Sequence, residues 1–110
     1  MTILDEVPML DNQQAQILQL RQKLTHGNRD ERLQALAALD SSSVHLLLEQ
    51  VVALTNHWRV EIKVAALQAL LPVDSALISE VIADSLNDGN REVRAAAAEL
   101  FHRPQTRLAA

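Results

Sequence analysis

Apolar residues recur along this chain at three- and four-residue intervals, the spacing that lines one face of an α-helix. Ile17, Leu20 and Leu24 form one stripe, Leu47, Leu48, Val51 and Leu54 a second, and Leu77, Ile78, Val81, Ile82 and Leu86 a third. A short turn and another amphipathic stretch follow each of them, opening at Asp30, Glu61 and Glu92. The turns fall at Gly27 and Asn28, at Asn56 and His57, and at Gly89 and Asn90, residue types suited to reversing the chain. Asp11, Ser42 or Ser43, and Asp74 or Ser75 are the expected N-caps of the leading helices, because a short side-chain oxygen accepts the unpaired amides of a first turn. Pro72 ends the helix before Asp74. The pattern predicts six helices in three hairpins.

The trailing helices are copies of one another. DERLQALAAL from Asp30, EIKVAALQAL from Glu61 and EVRAAAAELF from Glu92 align without gaps, each thirty-one residues after the last. An acid opens each copy, and Arg32, Lys63 and Arg94 stand two positions on. Ala35, Ala66 and Ala97, then Leu36, Leu67 and Ala98, then Leu39, Leu70 and Phe101 give each copy the same apolar stripe. A repeat of this kind cannot hide its apolar face alone, so neighbouring hairpins stack, and the frequent alanines let them approach closely. The organisation expected is a repeat domain over residues 11–103, with an N-terminal tail or cap at 1–10 and a C-terminal tail at 104–110. Ile3, Leu4, Val7, Met9 and Leu10 equip the N-terminal segment either to cover the first repeat or to dock into a partner. Three repeats are near the minimum for a stable stack, and exposed end faces leave room for a homo-oligomer.

The stretch from Asn87 to Phe101, NDGNREVRAAAAELF, resembles the HEAT-like repeats, including the bacterial branch first noted in phycobilisome lyases, whose pattern is an aspartate, a short turn, Val-Arg and an alanine-rich helix. The resemblance covers residues 11–103 and weakens from the third repeat to the first. It implies an all-α, short right-handed α-solenoid of about three helical hairpins, with an interaction surface on the second helices. It also implies an inter-repeat hydrogen-bond ladder at the aspartate. Asp88 matches that aspartate, whereas His57 and His26 stand there in the earlier repeats.

Composition narrows the function. The 110 residues are 48% apolar, enough for one core, and the formal charge of -4 disfavours a surface built for polyanions. Tyrosine is absent, and Trp58 and Phe101 are the only Trp and Phe, so a row of base-stacking rings is excluded. Without cysteine there are no disulfides or thiolate sites, which suits the cytoplasm. Asp5 and Glu6 stand where a secretory leader would be basic, and no apolar run reaches membrane-spanning length.

The reading that follows is a protein-binding adaptor, scaffold or regulatory subunit, not an enzyme, with no cofactor and no metal. Its expected contact residues are Trp58, His57, Arg59, Gln34, Gln68 and Glu99, with the small residues Ala37, Ala65 and Ala96 exposed among them. Trp58 replaces Gly27 and Gly89 of the sister repeats, and two readings of it stand: a partner anchor, or a ring covering its hairpin end. Arg29, Arg59 and Arg91 at the turns, with Arg32, Lys63 and Arg94, support the alternative of a nucleic-acid or phosphate-binding edge. The basic residues inside the repeats are more simply explained by stacking, and the acids beside them neutralise much of the row. A further alternative, implied by the resemblance, is an accessory subunit of a lyase-type enzyme complex. His26 and His57 each precede an acid by four residues, yet no third ligand of a zinc site accompanies them.

Overall fold

The computed structural model describes residues 2–103, with side chains described from Gln13 onward. Within them the chain forms seven helices and no strand: α1 (Thr2–His26), α2 (Arg29–Ala38), α3 (Ser41–Leu46), α4 (Leu48–Leu54), α5 (Val60–Ala69), α6 (Ala76–Leu86) and α7 (Arg91–Phe101). The three copied segments are α2, α5 and α7. The side chains proposed to cap the stack from the N-terminus, and the tail at 104–110, lie outside the described residues.

Local chemistry sets most of the boundaries. Asn28 caps α2 in a reciprocal box with Glu31: its Oδ1 accepts from the Glu31 amide and Glu31 Oε1 accepts from the Asn28 amide, both at 2.9 Å. Ser75 caps α6, and Asn90 caps α7 through the amides of Glu92 and Val93. Two expected caps are corrected. Asp11 lies inside α1, which runs unbroken from Thr2. The cap of α3 is Asp40, with Ser43 as the third helical residue completing the box.

The second leading helix is also not a single rod. It breaks at Leu47, whose φ of -113° and ψ of 25° leave the helical region. The amide of Leu47 still donates to Ser43 O and its carbonyl accepts from Val51, each near 3 Å, so the break is a kink rather than a turn. The buried side chains Val44, Leu47, Val51 and Leu54 continue one apolar stripe across it.

The copied helices form a row in which α2 packs on α5 and α5 on α7, while α1 lies against α2 and α4, α4 against α5, and α6 against α7. One apolar core runs between the two layers, from Leu24 through Leu36, Val51, Leu67 and Ile78 to Leu100. Ala35, Ala66 and Ala97 are all buried, as small residues must be where helix backbones approach closely. Phe101 departs from its expected place in the core: its side chain, at the last position of α7, is 58% exposed.

Candidate interaction surface

The turns between leading and trailing helices carry the most regular polar chemistry in the molecule. Arg32, in the first turn of α2, donates from Nε to Leu24 O (3.1 Å) and from Nη2 to Thr25 O (2.8 Å), closing the carbonyl end of α1. Its Nη1 lies 3.2 Å from His57 Nε2 in the next turn. One repeat on, Lys63 Nζ donates to Asp88 Oδ2 at 2.6 Å, a pair whose side chains are only 19% and 17% exposed. In the third repeat Arg94 Nη1 donates to the carbonyl of Asp88 at 2.7 Å.

These residues therefore tie turn to turn. The aspartate expected for such a rung stands only at Asp88, yet both junctions between repeats carry a contact, because His57 occupies the same station. His57 Nδ1 accepts from the Arg59 amide (3.0 Å) as Asp88 Oδ1 accepts from the Asn90 amide (2.8 Å). The hydrogen bond from Lys63, helped by the Asn90 amide, holds the Asp88 carboxyl below the usual carboxylate range. His57 is pushed below the ordinary imidazole range, first by burial and then by the positive charges of Arg32 and Arg59.

Trp58 follows His57 directly and is 75% exposed, the most exposed of the large apolar side chains described. Its ring stacks on His57, with centroids 5.5 Å apart and planes inclined by 23°, and the Arg59 guanidinium lies 4.4 Å from its centroid on a cation–π contact. The ring thus touches both chain neighbours while most of its surface stays open to solvent.

On the copied helices, Ala37, Gln68 and Glu99 occupy equivalent positions and are all exposed. The companion row of Gln34, Ala65 and Ala96 sinks along the chain: Gln34 is exposed, Ala65 half-buried and Ala96 buried. The expected exposure of Ala96 is thereby corrected, since α7 turns that position into the core beside Val93, Ala97 and Leu100.

The basic edge divides. Arg29 donates from Nε (2.8 Å) and Nη2 (2.5 Å) to Glu61 Oε2, and its Nη1 pairs with Asp30. That bidentate contact lowers the Glu61 carboxyl and raises the Arg29 guanidinium from their ordinary values. Arg32 and Lys63 are turned into the rungs, Arg59 lies over Trp58, and Arg91 is exposed. His45 Nδ1 contacts Ser41 O, and the His102 ring meets Phe101 edge-on.

Two features carried no sequence signal. Leu18 and Leu46 are exposed and, with Gln13, Gln14 and Ile17, line an open groove of about 400 Å³ between α1 and α3. Periodicity marks both as helix residues without telling which neighbours cover them. Arg103 donates to Leu70 O and Leu71 O at the end of α5, a long-range cap that local patterns do not reveal. Among the described residues no helix is long and apolar enough to cross a membrane. No protein-family model, curated protein or solved structure matches the chain.

Proposed function

We propose that the chain is a short, right-handed HEAT-like α-solenoid that serves as a cytoplasmic protein-binding adaptor, scaffold or regulatory subunit. The observation that carries this reading is Trp58. Tryptophan dominates the energy of protein interfaces when a partner desolvates it, and this ring is open on its surface yet contacted by both His57 and Arg59. A ring already held in place loses little freedom on binding, which reduces the ordering cost. Gln34, Gln68 and Glu99 on the copied helices extend the surface with groups suited to hydrogen bonding.

The ion pairs weigh against the phosphate-binding alternative. Arg29 is shared between Glu61 and Asp30, and Arg32 and Lys63 serve the turns, so few cations are left to replace the counterions of a nucleic acid.

The test is an affinity capture with wild-type protein and Trp58→Ala side by side, with nuclease treatment, followed by titration of the recovered partner. A protein partner that survives nuclease and binds Trp58→Ala about thirtyfold more weakly, the scale of a ~2 kcal/mol hot spot, supports the reading. Recovery abolished by nuclease, with affinity falling steeply in salt and on charge reversal at Arg59 and Arg91, would overturn it.

A further inference from the structure

The two ends of the stack carry the two halves of a junction that the molecule already contains. In the first junction Arg29 pairs with Glu61 and Arg32 reaches His57. Thirty-one-residue steps carry Arg29 and Arg32 onto Arg91 and Arg94 at the C-terminal face, and carry Glu61 and His57 back onto Asp30 and His26 at the N-terminal face. Val60 interrupts the first of these series in the middle repeat, so the full arginine pair exists only in the first and last repeats. Arg91 makes no ion pair among the described residues, while Asp30, paired with its neighbour Arg29, and His26 are both exposed.

The apolar positions are matched in the same way. Ala95, Ala98 and Phe101 of α7 stand where α5 has Val64, Leu67 and Leu70, the last two fully buried once α7 follows. Glu31, Gln34 and Ala38 of α2 stand where α7 has buried Val93, Ala96 and Leu100. The C-terminal face is thus small at 95 and 98 and large at 101, while the N-terminal face is long at 31 and 34 and small at 38. An open groove of about 610 Å³ already lies on the N-terminal face, lined by Gln19, Gln22, Lys23, His26, Gly27 and Glu31.

We propose that copies of this chain associate head to tail, the C-terminal face of one seated on the N-terminal face of the next. Arg91 then pairs with Asp30, and Arg94 with His26, as Arg29 pairs with Glu61 and Arg32 with His57 inside the chain. Such a contact uses two different faces, so it extends into an open chain unless its rotation closes a ring. Charge complementarity selects this occupant over a tail-to-tail pairing, which would set the Arg91 and Arg94 pair of one copy near that of another.

Sedimentation velocity over a wide concentration range tests the arrangement, with circular dichroism confirming that each variant is folded. Wild-type mass should climb with concentration beyond that of a dimer and fall with added salt. Arg91→Glu and Asp30→Arg should each weaken association at least tenfold, and an equimolar mixture of the two should restore it, because each supplies the face complementary to the other. Phe101→Asp, at a side chain already in solvent, blocks only the C-terminal face and should give a one-to-one complex with Asp30→Arg that grows no further. A wild-type protein that stays monomeric throughout would overturn the proposal. A closed dimer lost in Phe101→Asp but indifferent to Asp30→Arg would do so in favour of the tail-to-tail pairing.

Discussion

Replacing His57 by aspartate should stabilise the fold. The ring faces two donors, the Arg59 amide at 3.0 Å from Nδ1 and Arg32 Nη1 at 3.2 Å from Nε2. A neutral imidazole has one acceptor nitrogen, so whichever tautomer forms, one contact sets two N–H groups against each other. Protonation removes both acceptors, which agrees with the lowered His57 value. A carboxylate accepts both bonds at once, as Asp88 does from Asn90 and Lys63. A hydrogen bond to a charged group contributes about 1.5–3 kcal/mol. Loss of the stack on Trp58 removes about 0.5–1.5 kcal/mol. The net gain is about 1 kcal/mol at neutral pH, which raises Tm by roughly 4–8 °C for a domain of this size. Thermal and urea unfolding followed by circular dichroism measure it. The pH dependence gives a second handle. Because the folded His57 sits below its ordinary value of 6.5, the unfolded chain binds more protons through that region, and stability is lost as pH falls from about 6.5. In His57→Asp this contribution moves into the carboxylate range. A variant less stable than wild type at pH 7, with an unchanged acid profile, would refute the argument.

Other substitutions probe neighbouring parts of the same frame. A Cβ at Gly27 would collide with Lys23 O and lie 2.9 Å from Glu31 Cβ, so Gly27→Ala should cost about 1–3 kcal/mol in urea unfolding, while the equivalent Gly89 meets nothing within 4 Å and Gly89→Ala should be neutral or slightly stabilising. Leu67 is fully buried between the layers, and Leu67→Ala should cost about 2–5 kcal/mol, read as a lower urea midpoint at similar slope. Arg32→Lys loses the fork that reaches two α1 carbonyls and His57, and should cost about 1–2 kcal/mol; a cost no greater than that of Lys63→Arg would show that the fork is immaterial.

Most of the helical frame was legible because its signals are local. Apolar spacing marks α2, α5, α6 and α7, short polar caps open all of these but α5, and the thirty-one-residue register placed Arg32, Lys63 and Arg94 at equivalent stations. The break at Leu47 was not legible, since no glycine or proline marks it and its side chain continues the stripe. Phe101 and Ala96 were misassigned for a shared reason: periodicity reports which face of a helix is apolar, not whether a neighbour covers it. Phe101 lies on a face of α7 that no described helix covers, and Ala96 on the face turned into the core beside Val93, Ala97 and Leu100. Within the candidate site, the presence of Trp58 in a turn was readable, but its contacts with His57 and Arg59 required the fold. The rung at His57 was hidden because residue type suggested that a histidine departs from the aspartate pattern, whereas its Nδ1 stands where Asp88 has an oxygen.

The same comparison explains why a poorer residue occupies that rung. His57 is the weaker acceptor of the two junction residues, and it directly precedes the single tryptophan, whose ring it supports by stacking. An aspartate would complete the rung but leave that side of Trp58 without its aromatic support. Local rules of stability are broken most often where a site needs the residue for something else. The two roles separate in one variant: His57→Asp should gain stability while binding the protein partner proposed for Trp58 less well. Such opposite changes would identify His57 as held for recognition, and stability and affinity rising together would place its role wholly in the stack.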